Sequence, residues 1–240
     1  MKTKKFEKVK AVKELKEKVL EANLMLPANG LVIETWGNVS GIDRENNIAV
    51  IKPSGVSYKK LKVEHLVTLD LNGKVVEGEL RPSTDTSTHL VIYRNFDKVG
   101  GVVHTHSRWA TIWAQAGMNI PVLGTTHADN FNGEIPCTRK MKFEEISDDY
   151  EYNTGMVIVE TFSNLDPMMI PAVLVNGHGT FCWGSDPLDS VHYATVLEEI
   201  AFMSFNTVQI NPDVKNIDKK LLEKHFYRKH GKNAYYGQQF

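Results

Sequence analysis

Apolar residues recur at intervals of three and four in several stretches of the chain, and each stretch predicts an amphipathic helix. The first runs from Leu15 to Leu26 and ends near Pro27. Ser107 and Pro187 stand where a capping residue and a first-turn proline favour the start of a helix. Further helices are predicted over residues 89–96, 108–117, 188–205 and 218–230.

Between these helices lie short apolar runs bounded by turn residues, a pattern typical of strands. The polar segment 38–47 is predicted as the turn of a first hairpin, and Asn72-Gly73 as the turn of a second. The charged segment 142–152 receives no functional interpretation from its sequence. Extended segments are predicted over residues 31–36, 47–52, 65–71, 74–80, 99–106, 120–124, 155–160 and 172–184.

Strands and helices are mixed along the whole chain, without an internal repeat or a break in composition. We therefore expect one domain over residues 1–240. Hairpin signals in the first half favour antiparallel pairing. The predicted fold class is α/β, a three-layer α/β/α arrangement with a largely antiparallel central sheet flanked by helices.

Charge and cysteine content exclude several classes of protein. The 28 basic and 29 acidic residues nearly cancel, whereas nucleic-acid-binding proteins usually carry a basic excess on one face. Cys137 and Cys182 are too few for a disulfide framework. No segment has the apolar length of a signal peptide core or a membrane span. We therefore expect a cytoplasmic protein with no nucleic-acid or membrane partner.

A pair of histidines provides the clearest chemical signal. His104 and His106 end an apolar strand, and because side chains alternate in a strand, both imidazoles point to the same side. Two converging imidazoles are half of a metal site. His178, between two glycines, is the best third ligand, although six other histidines compete with it. Asp85 offers a further carboxylate, or else a helix N-cap.

A second group of residues has the chemistry of a phosphate site. Helix N-termini present free N–H groups to anions, and a Ser-Thr pair stands at such a terminus. A strand-exit loop adds a lysine, a hydroxyl and an unhindered glycine amide, while each feature alone is more often a plain cap or turn. The candidate residues are Asn38, Lys52, Ser54, Gly55, Ser83 and Thr84.

Several motifs resemble one family: TWGNVS, IKPSGV, PSTDT, GGVVHTHS, GTTHAD, NGHGTFCWG and HGKNAYYGQ. The resemblance extends from about Ala22 to Gln238. Together the motifs are similar to the L-ribulose-5-phosphate 4-epimerases of the class II aldolase/epimerase superfamily. HTH and NGHG are shared with the sister L-fuculose-1-phosphate aldolases, whereas Asp129 and the AYYG tail are more typical of the epimerases. Thr84 stands where the family usually has a second serine, and Asp85 where the sister aldolases usually have glutamate.

This resemblance implies a Zn²⁺ site, with Mn²⁺ or Co²⁺ as possible substitutes, on His104, His106 and His178 with Asp85. It implies a sugar phosphate substrate whose phosphate meets the six residues given above. It also implies proton transfer by Asp129 and Tyr236, supported by His225. Further, it implies a homotetramer in which the C-terminal helix and tail, about residues 218–240, complete the site of a neighbouring subunit.

The implied reaction interconverts L-ribulose 5-phosphate and D-xylulose 5-phosphate through cleavage and re-formation of the C3–C4 bond. Two other interpretations stay open at this point. A sister aldolase, similar to L-fuculose-1-phosphate aldolase, would use the same histidines and release its aldehyde. A non-catalytic module similar to the adducin head would have no need of a metal triad.

Overall fold

The computed structural model describes residues 2–232 and 234–237, with side chains from residue 9 onwards. Its centre is a seven-stranded sheet in which every neighbouring pair of strands is antiparallel. The strands are β1 (Asn38–Asp43), β2 (Ile48–Ile51), β3 (Val67–Asp70), β4 (Val75–Glu77), β5 (Gly101–Thr105), β6 (Ala172–Leu174) and β7 (Thr180–Gly184). Their order across the sheet is β4-β3-β2-β1-β5-β7-β6.

Helices cover both faces of this sheet. The α-helices of the described part of the chain are α1 (Lys2–Ala28), α2 (Thr86–Asn95), α3 (Arg108–Ala116), α4 (Thr125–Ala128), α5 (Phe143–Ser147), α6 (Tyr150–Thr161), α7 (Pro187–Ile210) and α8 (Lys219–Lys229). Single 3₁₀ turns span Tyr58–Lys60 and Val63–His65. Among the described residues, no helix combines the length and apolar character required to cross a bilayer.

Strand β1 shows why the fold has three layers. A Cβ added at Gly41 would lie 2.7 Å from side-chain atoms of Leu15 in α1 and Pro187 in α7, so these helices press directly on that face. The adjacent residue, Ser40, points to the opposite face, where its hydroxyl lies 2.7 Å from His89 Nδ1 in α2. The α/β/α architecture expected from the sequence is confirmed.

The first predicted hairpin is wrong in its position. Residues 31–36 form a loop, whereas the polar segment predicted as the turn contains strand β1. Polarity misled the prediction because Asn38 and Ser40 are buried yet hydrogen-bonded to side chains of other elements. The second hairpin, turning at Asn72-Gly73, is confirmed between β3 and β4.

Two further segments differ from their predictions. Residues 155–160 belong to α6 rather than to a strand, and a Cβ at Gly155 would lie 2.6 Å from Val91 of α2, so this apolar run is buried against a helix. Residues 120–124 form only an isolated bridge, at Ile120. The unassigned segment 142–152 contains α5 and the first turn of α6.

Candidate metal centre and active site

Three histidines meet beyond the end of the central strand β5. His104 lies in β5 and His106 just after it, and their Nε2 atoms are 3.1 Å apart. His178 enters from the turn between β6 and β7. One potential ligand atom from each histidine lies within 4.8 Å of the other two. The alternation of side chains in β5 and the adjacent β6–β7 turn thus create one cluster of nitrogen donors.

The glycines on either side of His178 allow this turn to approach β5. Gly177 has φ +72°, a left-handed conformation that glycine adopts without steric cost. A Cβ at Gly179 would lie 2.7 Å from the Thr105 carbonyl oxygen and 3.2 Å from His106 Nδ1. Gly179 is therefore required by the packing of the turn against the two strand histidines, whereas Gly177 is favoured by its left-handed backbone.

Hydrogen bonds orient the imidazoles. His104 Nδ1 donates to the Thr180 carbonyl at 2.9 Å, which leaves its Nε2 lone pair free for a ligand. The ring of His106 lies with its centre 4.9 Å from that of His178. Burial, reinforced by the other two histidines, lowers the pKa of His178 to about 4. Imidazole nitrogens are donors that zinc and similar divalent cations prefer, so these residues fit such a cation.

Asp85 stands at the N-cap position of α2, yet its side chain makes no capping bond there. Its carboxylate instead accepts hydrogen bonds from Asn38 Nδ2 at 2.7 Å and Ser83 Oγ at 3.2 Å. Burial favours a higher pKa for Asp85, but His104, His89 and the Asn38 hydrogen bond hold it below its usual range. Asp85 shares the cavity of the histidines without being part of the 4.8 Å cluster.

A cavity of about 620 Å³ joins the histidines to the candidate phosphate residues. Lys52 lines this cavity with 2% of its surface exposed, and its Nζ is 5.0 Å from the centre of the Tyr58 ring. Burial lowers the Lys52 pKa to about 8, against an opposing effect of Asp85. The buried Oδ1 of Asn38 has no hydrogen-bond partner among the described residues. The predicted residues that line this cavity are Asn38, Lys52, Ser54, Gly55, Ser83, Thr84, Asp85, His104, His106 and His178.

The sequence interpretation missed part of the cavity wall. Trp36 comes from the loop wrongly predicted as a strand, and Tyr58 donates to the carbonyls of Trp36 and Gly37 to hold that loop in place. Tyr150 and Glu151 come from the segment that received no interpretation. A tyrosine and a glutamate shortly before the apolar run 155–160 were the sequence signal for this side of the cavity.

The remaining predicted residues form a separate cluster. Asp129, at the end of α4, accepts hydrogen bonds from Arg228 at 2.9 and 2.6 Å and lies 3.0 Å from His225 Nδ1. The ring of Tyr236 packs on Arg228 and Lys229, at 4.9 and 4.6 Å from its centre. Asp129, His225 and Tyr236 thus come together within one chain, but none of them lines the histidine cavity.

The fold and the site define a class of protein: a three-layer α/β/α domain with a histidine cluster, a buried lysine and hydroxyl side chains around one cavity. Residues 17–205 match the sequence model of the class II aldolase and adducin N-terminal domain family. The chain belongs to this family, and the superfamily expected from the motifs is confirmed.

Solved structures share the same fold. An L-fuculose 1-phosphate aldolase is similar with a TM-score of 0.76 and 22% identity, over 90% of this chain and 95% of the other. The L-fuculose 1-phosphate aldolase of Glaciozyma antarctica has a TM-score of 0.76 and 16% identity, over 92% and 84%. That of Thermus thermophilus has a TM-score of 0.65 and 22% identity, over 83% and 96%.

Proposed function

We propose that this protein is a divalent-metal-dependent L-ribulose-5-phosphate 4-epimerase. The observation that supports this function most is the presence, in one 620 Å³ cavity, of a histidine triad beside a buried lysine and hydroxyl side chains. Lys52 and the start of α2 would bind the phosphate, since cations and free helix N–H groups both favour anions. Zn²⁺ is the cation proposed, with Mn²⁺ or Co²⁺ as substitutes.

The substrate itself restricts the mechanism. The C4 hydrogen of ribulose 5-phosphate is not adjacent to the carbonyl and is therefore not acidic. Removal of the C4 hydroxyl proton instead lets the C3–C4 bond break, giving the enediolate of dihydroxyacetone and glycolaldehyde phosphate. When bound, the cation acts as a Lewis acid that stabilises negative charge on the sugar oxygens. The aldehyde then presents its other face, and the bond re-forms with C4 inverted.

Inversion requires proton transfer on both faces of the aldehyde. We assign it to Asp129 and Tyr236, with His225 supporting Asp129. Positioned acid–base groups contribute about 10²- to 10⁴-fold to rate. Because neither residue lines the cavity of its own chain, the proposal includes a homotetramer in which the tail of one subunit enters the site of a neighbour.

Subunit complementation tests the shared site directly. His106→Asn removes a proposed metal ligand, and Asp129→Asn removes a proposed proton-transfer group. Each homo-oligomer is therefore expected to be inactive. Co-refolded mixtures are expected to regain activity, because some sites then combine an intact cavity with an intact neighbouring Asp129. Mixed oligomers that stay inactive would contradict the shared site.

A sister aldolase is the second candidate function, favoured by the similarity to solved L-fuculose 1-phosphate aldolases. It would use the same cavity and release the aldehyde. The histidine triad argues against a purely structural module, which needs no converging set of imidazoles.

The deciding experiment follows L-ribulose 5-phosphate by NMR with metal-loaded protein, with and without a chelator. We expect chelator-sensitive formation of D-xylulose 5-phosphate without accumulation of glycolaldehyde phosphate. His178→Asn is expected to abolish the reaction, whereas His192→Asn, the same change at an exposed histidine of α7, leaves it unchanged. Accumulating fragments would instead establish an aldolase, and the absence of any reaction would refute both functions for this substrate.

A further inference from the structure

Two of the three imidazoles have outer partners that differ in kind. His104 donates to the backbone carbonyl of Thr180. The partner of His178 is a side chain, because the Tyr150 hydroxyl oxygen lies 3.4 Å from His178 Nδ1. The two rings are 6.1 Å apart and tilted by 42°. This difference makes the orientation of the third imidazole open to mutation.

We propose that Tyr150 is a positioning residue for His178. Its hydroxyl oxygen accepts the Nδ1–H of the imidazole and thereby leaves the Nε2 lone pair facing His104 and His106. Outer partners of metal-ligating histidines fix the tautomer and the ring orientation in this way. A separation of 3.4 Å is long for such a bond. This inference rests on the proposed cation site.

Tyr150 is placed by a rigid support. It is the first residue of α6, and its carbonyl accepts a hydrogen bond from Thr154 Oγ1 at 2.9 Å. The carbonyl of Glu151 accepts one from Thr88 Oγ1 of α2 at 2.6 Å. Gly155 then allows α6 to lie directly against α2. These contacts fix the backbone that carries the Tyr150 side chain, as a positioning role requires.

The same contacts link the two halves of the cavity. Helix α2 begins just after Ser83, Thr84 and Asp85, which line the candidate phosphate side. Through Thr88 it also holds the turn that carries Tyr150. The segment 142–152 thereby gains a function, since its Tyr150 contacts His178, the third histidine, beside the candidate phosphate residues.

Metal affinity tests the proposal without reference to turnover. Zn²⁺ affinity is measured by competition with a chromophoric chelator, and Co²⁺ geometry by visible absorption. Tyr150→Phe is expected to weaken Zn²⁺ binding about 10- to 100-fold and to change the Co²⁺ spectrum. Tyr150→Leu is expected to weaken it at least as much. Tyr152→Phe, at an exposed tyrosine two residues away, is expected to bind like the wild type.

The outcomes separate this inference from the proposed function. Wild-type protein that binds neither Zn²⁺ nor Co²⁺ would refute the cation site itself. Wild-type binding combined with unchanged affinity and spectra in a folded Tyr150→Phe protein would refute the role of Tyr150 alone. Equal weakening in Tyr150→Phe and Tyr152→Phe would also refute it, because the hydroxyl facing His178 would then have no special effect. Thermal melts of the metal-free variants establish that each is folded.

Discussion

A single methyl group at Gly179 is expected to disturb both stability and metal binding. In Gly179→Ala the added Cβ would lie 2.7 Å from the Thr105 carbonyl oxygen, about 0.7 Å short of ordinary contact. Backbone atoms hold this position, so strand and turn must separate, which costs about 1–3 kcal/mol. At about 2–4 °C per kcal/mol for a chain of this size, Tm is expected to fall by about 2–12 °C.

The metal site is expected to be more sensitive than the fold. Thr105 lies between His104 and His106, so a displacement of this backbone moves both imidazoles relative to His178. Metal–ligand distances tolerate deviations of only about 0.2 Å. A shift of several tenths of an ångström therefore exceeds that tolerance, and Zn²⁺ affinity is expected to fall by at least about tenfold.

Two other glycines serve as controls, with thermal melts and chelator competition as the assays. Gly124→Ala meets no atom within 4 Å and has an extended backbone, so both quantities are expected to stay unchanged. Gly177→Ala is also unobstructed but has φ +72°, and it is expected to lose only about 1 kcal/mol to backbone strain. Wild-type Tm and Zn²⁺ affinity in Gly179→Ala would refute this reasoning.

Three further predictions concern charge. Lys52→Met is expected to raise KM for a sugar phosphate about 10- to 150-fold, because a hydrogen bond to a charged group contributes about 1.5–3 kcal/mol to binding. Wild-type KM should itself rise above pH 8 as the Lys52 ammonium loses its proton. An unchanged KM contradicts both expectations. Burial lowers the pKa of His89 to about 3 and of His127 to about 4, so only the unfolded chain takes up these protons below pH 6.5. Urea titrations should therefore show the free energy of unfolding falling, as the pH is lowered from 6.5 to 5, by up to about 1.4 kcal/mol per pH unit for each histidine. A free energy of unfolding that does not change with pH would refute this expectation. Asp129→Asn and Tyr236→Phe should each lower kcat about 10²- to 10⁴-fold with Zn²⁺ content unchanged, and wild-type rates in both would remove them from the mechanism.

Local sequence signals located most of the cavity because each of them corresponds to a simple geometric rule. The alternation of side chains in β5 brings His104 and His106 to one side, and paired glycines let His178 approach. Hydroxyls at the start of α2 and a lysine at a strand exit line the same cavity as the histidines. These rules depend on only a few neighbouring residues. Their predictions therefore stay correct even where a neighbouring strand is wrongly assigned.

Features that depend on long-range packing were not predictable in this way. Strand β1 contains the polar residues Asn38 and Ser40. They can be buried because they obtain hydrogen-bond partners about 45 residues away or more in the sequence. The apolar run in α6 has the composition of a strand, and only its burial against Val91 favours the helix. Tyr150 reaches His178 from 28 residues away, a contact that no local pattern indicates.

The difference between an epimerase and an aldolase depends on the Asp129 cluster, because both would use the same histidine cavity. Burial alone would raise the pKa of Asp129, but hydrogen bonds from Arg228 and His225 hold it below its usual range. The carboxylate is thus ionised at neutral pH, the state of a base rather than of an acid. In the proposed mechanism the Tyr236 phenol, packed on Arg228, would supply the proton that such a base does not hold. A base and an acid on opposite faces of the aldehyde permit inversion, so the epimerase requires both to reach a neighbouring cavity.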